Sequence, residues 1–121
     1  MKAAFDTNIL IDYLNGFEAA SKELSLYDNR IISIITYIEV LAGAGDTEEE
    51  RMIRGFLSSF TIRELSRSIA DISIVLRKRY SLRVPDAIVY ATARDEGCLM
   101  VSRNTRDLKQ DWPDIRVPYK L

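Results

Sequence analysis

Four short stretches of this chain set a carboxylate among the side chains that usually accompany a reactive acid. They are Asp6-Thr7-Asn8, Thr36-Tyr37-Ile38-Glu39, Pro85-Asp86 and Ser102-Arg103-Asn104-Thr105-Arg106-Asp107. The 121 residues include no histidine and a single cysteine, Cys98. Histidine-based triads, two-histidine nucleases, internal disulfides and Cys/His zinc sites are therefore excluded. Any chemistry must run on carboxylates, hydroxyls, amides, Lys and Arg. Each stretch also has a plain structural reading. Asp6 or Asn8 suits the cap of a helix containing Ile9 to Leu14, and Thr36 with Glu39 matches a capping box. Asp86 behind Pro85 is an ordinary first-turn acid, and Asn104-x-x-Asp107 fits a cap followed by another.

The elements that must position these acids are legible in the apolar pattern. Short β-rich runs at 3–5, 30–35, 60–65 and 99–102, with a possible edge run at 115–117, read as buried strands. Between them the spacing turns helical, in Met52, Ile53, Phe56, Leu57, Phe60 and in Ile69, Ile72, Leu76, Tyr80, which are expected in the core. Gly16, Gly43 and Gly97 each follow a helical stretch where a left-handed cap is wanted, and none forms a phosphate loop. Strand and helix alternate without a linker, repeat or biased segment. The expectation is an α/β fold: a single α/β/α sandwich with a mostly parallel central sheet, forming one domain over residues 1–121. Hydrophobic residues make up 47% and charged residues 29%, as in compact folds rather than disordered chains. No stretch approaches the ~18 apolar residues of a membrane span, so a cytoplasmic protein is expected. The net charge of −1 argues against a general nucleic-acid coat, while leaving room for a local basic rim. Trp112, Tyr90 and the other aromatics are explained by the core.

In an open parallel sheet, ligands bind beyond the carboxyl ends of the strands, where these polar stretches fall. If the strands order accordingly, Asp6, Glu39, Asp86 and Asp107 converge at one edge within a few ångströms. Neighbouring carboxylates raise each other's pKa, and a divalent cation relieves that repulsion. Oxygen-only ligands point to Mg²⁺ or Mn²⁺.

The segments Phe5-Asp6-Thr7-Asn8-Ile9-Leu10, Tyr37-Ile38-Glu39-Val40-Leu41-Ala42-Gly43, Pro85-Asp86-Ala87-Ile88-Val89-Tyr90-Ala91-Thr92-Ala93 and Val101-Ser102-Arg103-Asn104-Thr105-Arg106-Asp107-Leu108 resemble the successive motifs of PIN-domain ribonucleases, in particular VapC toxins. The motifs run in the family's order over nearly the whole chain. Ser102 stands where Thr is frequent and Leu108 where an aromatic is frequent; neither departure removes a ligand. The resemblance implies a Mg²⁺- or Mn²⁺-dependent endoribonuclease, the toxin of a type II toxin–antitoxin system. It makes Asp6, Glu39, Asp86 and Asp107 the catalytic, metal-binding quartet and Thr7, Asn8, Ser102 and Asn104 supporting polar residues. It further implies a cognate VapB-like antitoxin whose C-terminal segment occludes the acidic pocket, a homodimer, and a heterotetramer or larger assembly with the antitoxin.

Metal-activated water attacking in line would leave 3′-hydroxyl and 5′-phosphate ends. Arg103 and Arg106 flank the last motif and are candidate RNA-backbone contacts, whereas Arg77, Lys78, Arg79 and Arg83 suit a solvated helix face. Two other readings stand beside the nuclease. One is a Mg²⁺-dependent phosphatase or phosphoacceptor with Asp6 as nucleophile, although Asn8 occupies the place of the second acid such a phosphatase wants. The other is an inactive partner-binding module whose acids are only caps. A DNA-directed nuclease is a closer variant, but the chain lacks an insertion long enough to arch over a strand, which favours RNA.

Overall fold

Consecutive residues of a strand face opposite sides of a sheet, so an unbroken apolar run needs a cover on both. The computed structural model, which describes residues 1–106, 108–109 and 112–121, provides it. Along the chain come β1 (Lys2–Phe5), α1 (Thr7–Leu14), α2 (Glu18–Ser25), β2 (Asn29–Ser33), α3 (Ile34–Ala42), α4 (Thr47–Leu57), β3 (Thr61–Arg63), α5 (Arg67–Tyr80), α6 (Val84–Glu96), β4 (Leu99–Val101) and β5 (Ile115–Arg116). The strands form one all-parallel sheet in the order β3-β2-β1-β4-β5. Ala3, Phe5, Ile32 and Val101 point to one face and pack with apolar residues of α1, α2, α3 and α4. Ala4, Ile31 and Met100 point to the other and pack with α5 and α6. This is the α/β/α sandwich expected from the sequence. No helix among the described residues is long and apolar enough to cross a membrane.

Several local expectations are corrected. The run at 30–35 does not stay extended: Ser33 accepts a hydrogen bond from the Ile35 amide (3.0 Å) and starts α3 at Ile34. The Thr36/Glu39 capping box therefore does not form, because the cap lies three residues earlier and both residues sit inside the helix. Gly43 ends α3 in a right-handed conformation, whereas Gly16 and Gly97 do adopt positive φ, +87° and +66°. Met52 is exposed rather than core, on the outer side of α4. Among the described residues no helix follows Asn104; its side-chain oxygen accepts from the Arg106 amide (3.2 Å) in a local turn instead.

Candidate functional site

Sheet order decides where a cleft can open. β2 and β3 lie to one side of β1, and β4 and β5 to the other, so the strand order reverses between β1 and β4. Beyond their carboxyl ends lies the crevice in which open α/β sheets bind ligands. Asp6 is the first residue past β1, and its amide continues the sheet by donating to the Val101 carbonyl (2.9 Å). Its carboxylate caps α1, with Oδ1 accepting from the Thr7 amide (2.8 Å). Oδ2 accepts from Ser102 Oγ (2.8 Å) and Asn8 Nδ2 (3.4 Å).

Asp6 is only 9% exposed. Burial pushes its pKa up to about 6; the Ser102 and Thr7 hydrogen bonds pull it down, and the charges of Asp86 and Glu39 add to the rise. Glu39 projects from α3, where Thr7 Oγ1 donates to its Oε1 (2.6 Å) and also lies 3.1 Å from Thr36 Oγ1. Asp86 occupies the first turn of α6, just after Pro85, as the sequence predicts, and accepts from Arg83 Nε (3.2 Å).

Asp6, Glu39 and Asp86 line one open cleft of about 410 Å³ together with Thr7, Asn8, Arg103 and Asn104. Ser102 is fully buried and is tied to the cleft through its bond to Asp6. Sites distant in sequence are thus brought to one place. Among the described residues no three acidic groups stand together as a ready cation cage. Each outer acid has its own donor, Thr7 for Glu39 and Arg83 for Asp86, which offsets part of the repulsion between neighbouring carboxylates. Asp107 lies outside the described residues. The donor set of carboxylates, amide and hydroxyl fits a hard divalent cation, and the raised Asp6 pKa marks a place where added positive charge is favourable.

The two candidate RNA contacts differ. Arg106 is exposed. Arg103 directs Nε and Nη2 at Asp12, 2.5 and 2.8 Å from its two oxygens, and leaves about a third of its side chain to solvent. Asp12 also accepts from the Tyr119 hydroxyl (2.8 Å). Sequence reasoning missed Asp12 and Tyr119. A weak signal existed for Asp12, which sits one helical turn after Asn8 on the same face of α1; none existed for Tyr119. Trp112 packs against Tyr80 and Tyr90, with ring centroids 4.1 and 5.8 Å away, in keeping with a core role.

The PIN domain family model matches residues 3–111. A chain of a toxin–antitoxin complex from Klebsiella pneumoniae is 40% identical, with a TM-score of 0.93 over 98% of this chain and 99% of that one. Two more distant structures share the fold. VapBC2 from Rickettsia felis, bound to a DNA fragment from its promoter, is 21% identical, with a TM-score of 0.80 over 95% and 96% of the two chains. FitAcB from Neisseria gonorrhoeae is 19% identical, also at 0.80, over 98% and 99%. Among curated protein sequences none matches this chain. With a family model spanning most of its length and the parallel sheet that carries its motifs, the chain belongs to the PIN domain family.

Proposed function

We propose that residues 1–121 form one metal-dependent endoribonuclease domain, the toxin of a type II toxin–antitoxin pair. The observation that carries the nuclease reading is the cleft itself: three carboxylates from three separate motifs open onto it, one of them buried with its pKa raised. The toxin reading is supported by 40% identity to a chain of a toxin–antitoxin complex across nearly the full length of both. Asp6, Glu39 and Asp86, with Asp107, would hold Mg²⁺ or Mn²⁺. When bound, that cation lowers the pKa of a water for attack on phosphorus and neutralises charge on the non-bridging oxygens.

The chain's own residues do the rest. Ser102 and the Thr7 amide fix the plane of the Asp6 carboxylate, so its ligand direction is set before substrate arrives. Thr7 orients Glu39 in the same way from the opposite side. Arg106 and the solvent-facing edge of Arg103 supply positive charge at a rim the phosphate backbone must cross. The proposed partners are RNA, a cognate antitoxin that covers the cleft, and a second copy of the chain. An apolar furrow of about 230 Å³ between α5 and α6, with Leu65, Ile74 and Val84 exposed around it, suits that second copy.

The deciding experiment is cleavage of a structured RNA pool in Mg²⁺ or Mn²⁺, with chelator and Asp6→Asn controls. Cleavage is expected to fall by at least about 100-fold in both controls, the scale of losing several kcal/mol of charge stabilisation. Products should carry 3′-hydroxyl and 5′-phosphate ends; a 2′,3′-cyclic phosphate as direct product would mean that the RNA's own hydroxyl attacks. Absence of cleavage together with absence of cation binding would leave a partner-binding module.

A further inference from the structure

Asp12 lies outside the acidic set, yet it is among the most buried charged groups, with a side chain only 2% exposed. A carboxylate so placed is strongly unfavourable unless paired and fully hydrogen-bonded. Both of its oxygens are engaged. Arg103 binds them in the two-pronged geometry that fixes the guanidinium plane, and the Tyr119 hydroxyl donates to the oxygen that Arg103 Nε also reaches. Burial alone would raise the Asp12 pKa, but these hydrogen bonds and the Arg103 charge hold it below the usual carboxylate range. The three residues come from α1, from the turn after β4 and from the tail after β5.

What makes this more than a structural ion pair is where Arg103 sits. Its amide donates to Asn8 Oδ1 (3.3 Å), so α1 grips the same residue by its backbone through Asn8 and by its side chain through Asp12. On one side of Arg103, Ser102 donates to Asp6; on the other, Asn104 lines the cleft and donates its amide to Ser102 Oγ (3.0 Å). We propose that Asp12 is a positioning residue: by clamping Arg103 and Tyr119 it sets the 102–104 turn against Asp6 and couples the C-terminal tail to the cleft. The role in turnover rests on the nuclease reading; the role in holding the turn does not.

The test uses the full chain and the variants Asp12→Asn and Tyr119→Phe. Asp95→Asn serves as control, since it weakens a partly buried pair with Arg63 that touches no residue of the cleft. In metal-free protein, NMR amide exchange at Arg103 and Asn104 is expected to quicken roughly tenfold or more in Asp12→Asn and a few-fold in Tyr119→Phe, while the Asp6 amide stays within about twofold. In Mn²⁺, kcat for RNA should fall about tenfold or more in Asp12→Asn with KM within about threefold, and Asp95→Asn should leave both unchanged. Unchanged exchange at Arg103 and Asn104 overturns the clamp. Faster exchange with kcat no lower than in Asp95→Asn overturns its role in turnover. If wild-type protein cleaves no RNA, the nuclease reading fails by itself, and accelerated exchange still supports the clamp. Should Asp12→Asn fail to fold, Tyr119→Phe removes a single hydroxyl from a partly exposed tail residue and decides by the same exchange measurement.

Discussion

Asp6 caps a helix while buried and, in the role proposed for it, also binds a cation; these demands conflict in the metal-free protein. The cap and the Ser102 bond favour its charge, but burial outweighs them and lifts the pKa to about 6 from 3.8. A folded-state pKa above the unfolded value gives stability that is complete below the unfolded value and is lost as pH rises through the folded one. Metal-free protein should therefore lose stability between about pH 4 and 6 through this group. Asp6→Asn is expected to raise stability by up to about 3 kcal/mol at pH 7, with the gain vanishing below about pH 4, while removing cleavage. Urea unfolding of both proteins at the two pH values checks it; an Asn variant less stable at pH 7 would mean that the cap and Ser102 bonds dominate. Asp6 and Asp86 were legible in the sequence because one follows a strand end and the other a proline, whereas Glu39 was picked out through a capping box that does not form. The distant partners were not: Thr7 to Glu39 spans 32 positions, and Asp12, itself missed, lies 107 positions from Tyr119.

At the scale of elements, the useful signals were caps, and the errors came from competition between them. Ser33 took the start of α3 from Thr36, which turned the last residues of an expected strand into a helix and placed Glu39 over the cleft. Both readings were compatible with local sequence; the Ser33 cap on the Ile35 amide and the burial of Thr36 and Val40, one helical turn apart, go with the helix. The glycines divide in the same way. Gly97 holds φ of +66° with open space around the missing Cβ, so only backbone strain opposes a side chain there. Gly97→Ala should lower stability by about 1 kcal/mol. Gly43 has ordinary φ and only van der Waals contact with the Val40 carbonyl at 3.5 Å, so Gly43→Ala should be neutral or stabilising by up to about 1 kcal/mol. Thermal unfolding of the pair distinguishes the two positions; equal losses would contradict the assigned caps.

For the whole molecule, the C-terminal segment is tied back to the first helices by two buried carboxylates, Asp12 and Glu23. Glu23 on α2 receives Arg116 through Nε and Nη2 (2.6 and 2.9 Å) and the Tyr27 hydroxyl (2.9 Å). Burial works against its charge, yet these bonds and the Arg116 charge leave its pKa below the ordinary value, while burial and Glu23 push Tyr27 up to about 12. The sign is opposite to that of Asp6: the contribution is present above the unfolded pKa and lost as pH falls through the folded one. Glu23→Gln should cost about 1–2 kcal/mol at neutral pH, less than a wholly buried pair because Arg116 is 43% exposed, and the difference should close in acid. Acid titration of unfolding, followed by tyrosine fluorescence, checks it. By itself the sequence determined the layered α/β class, the acids and the helices that begin beside them, because apolar period and capping chemistry are local and each strand needs cover on both faces. Only the tertiary structure decided that β4 lies beside β1 and that the strand order reverses there. It likewise decided that Thr7 meets Glu39 and that the tail reaches Asp12, because such pairings depend on chain closure over long separations and leave no periodic trace in the residues.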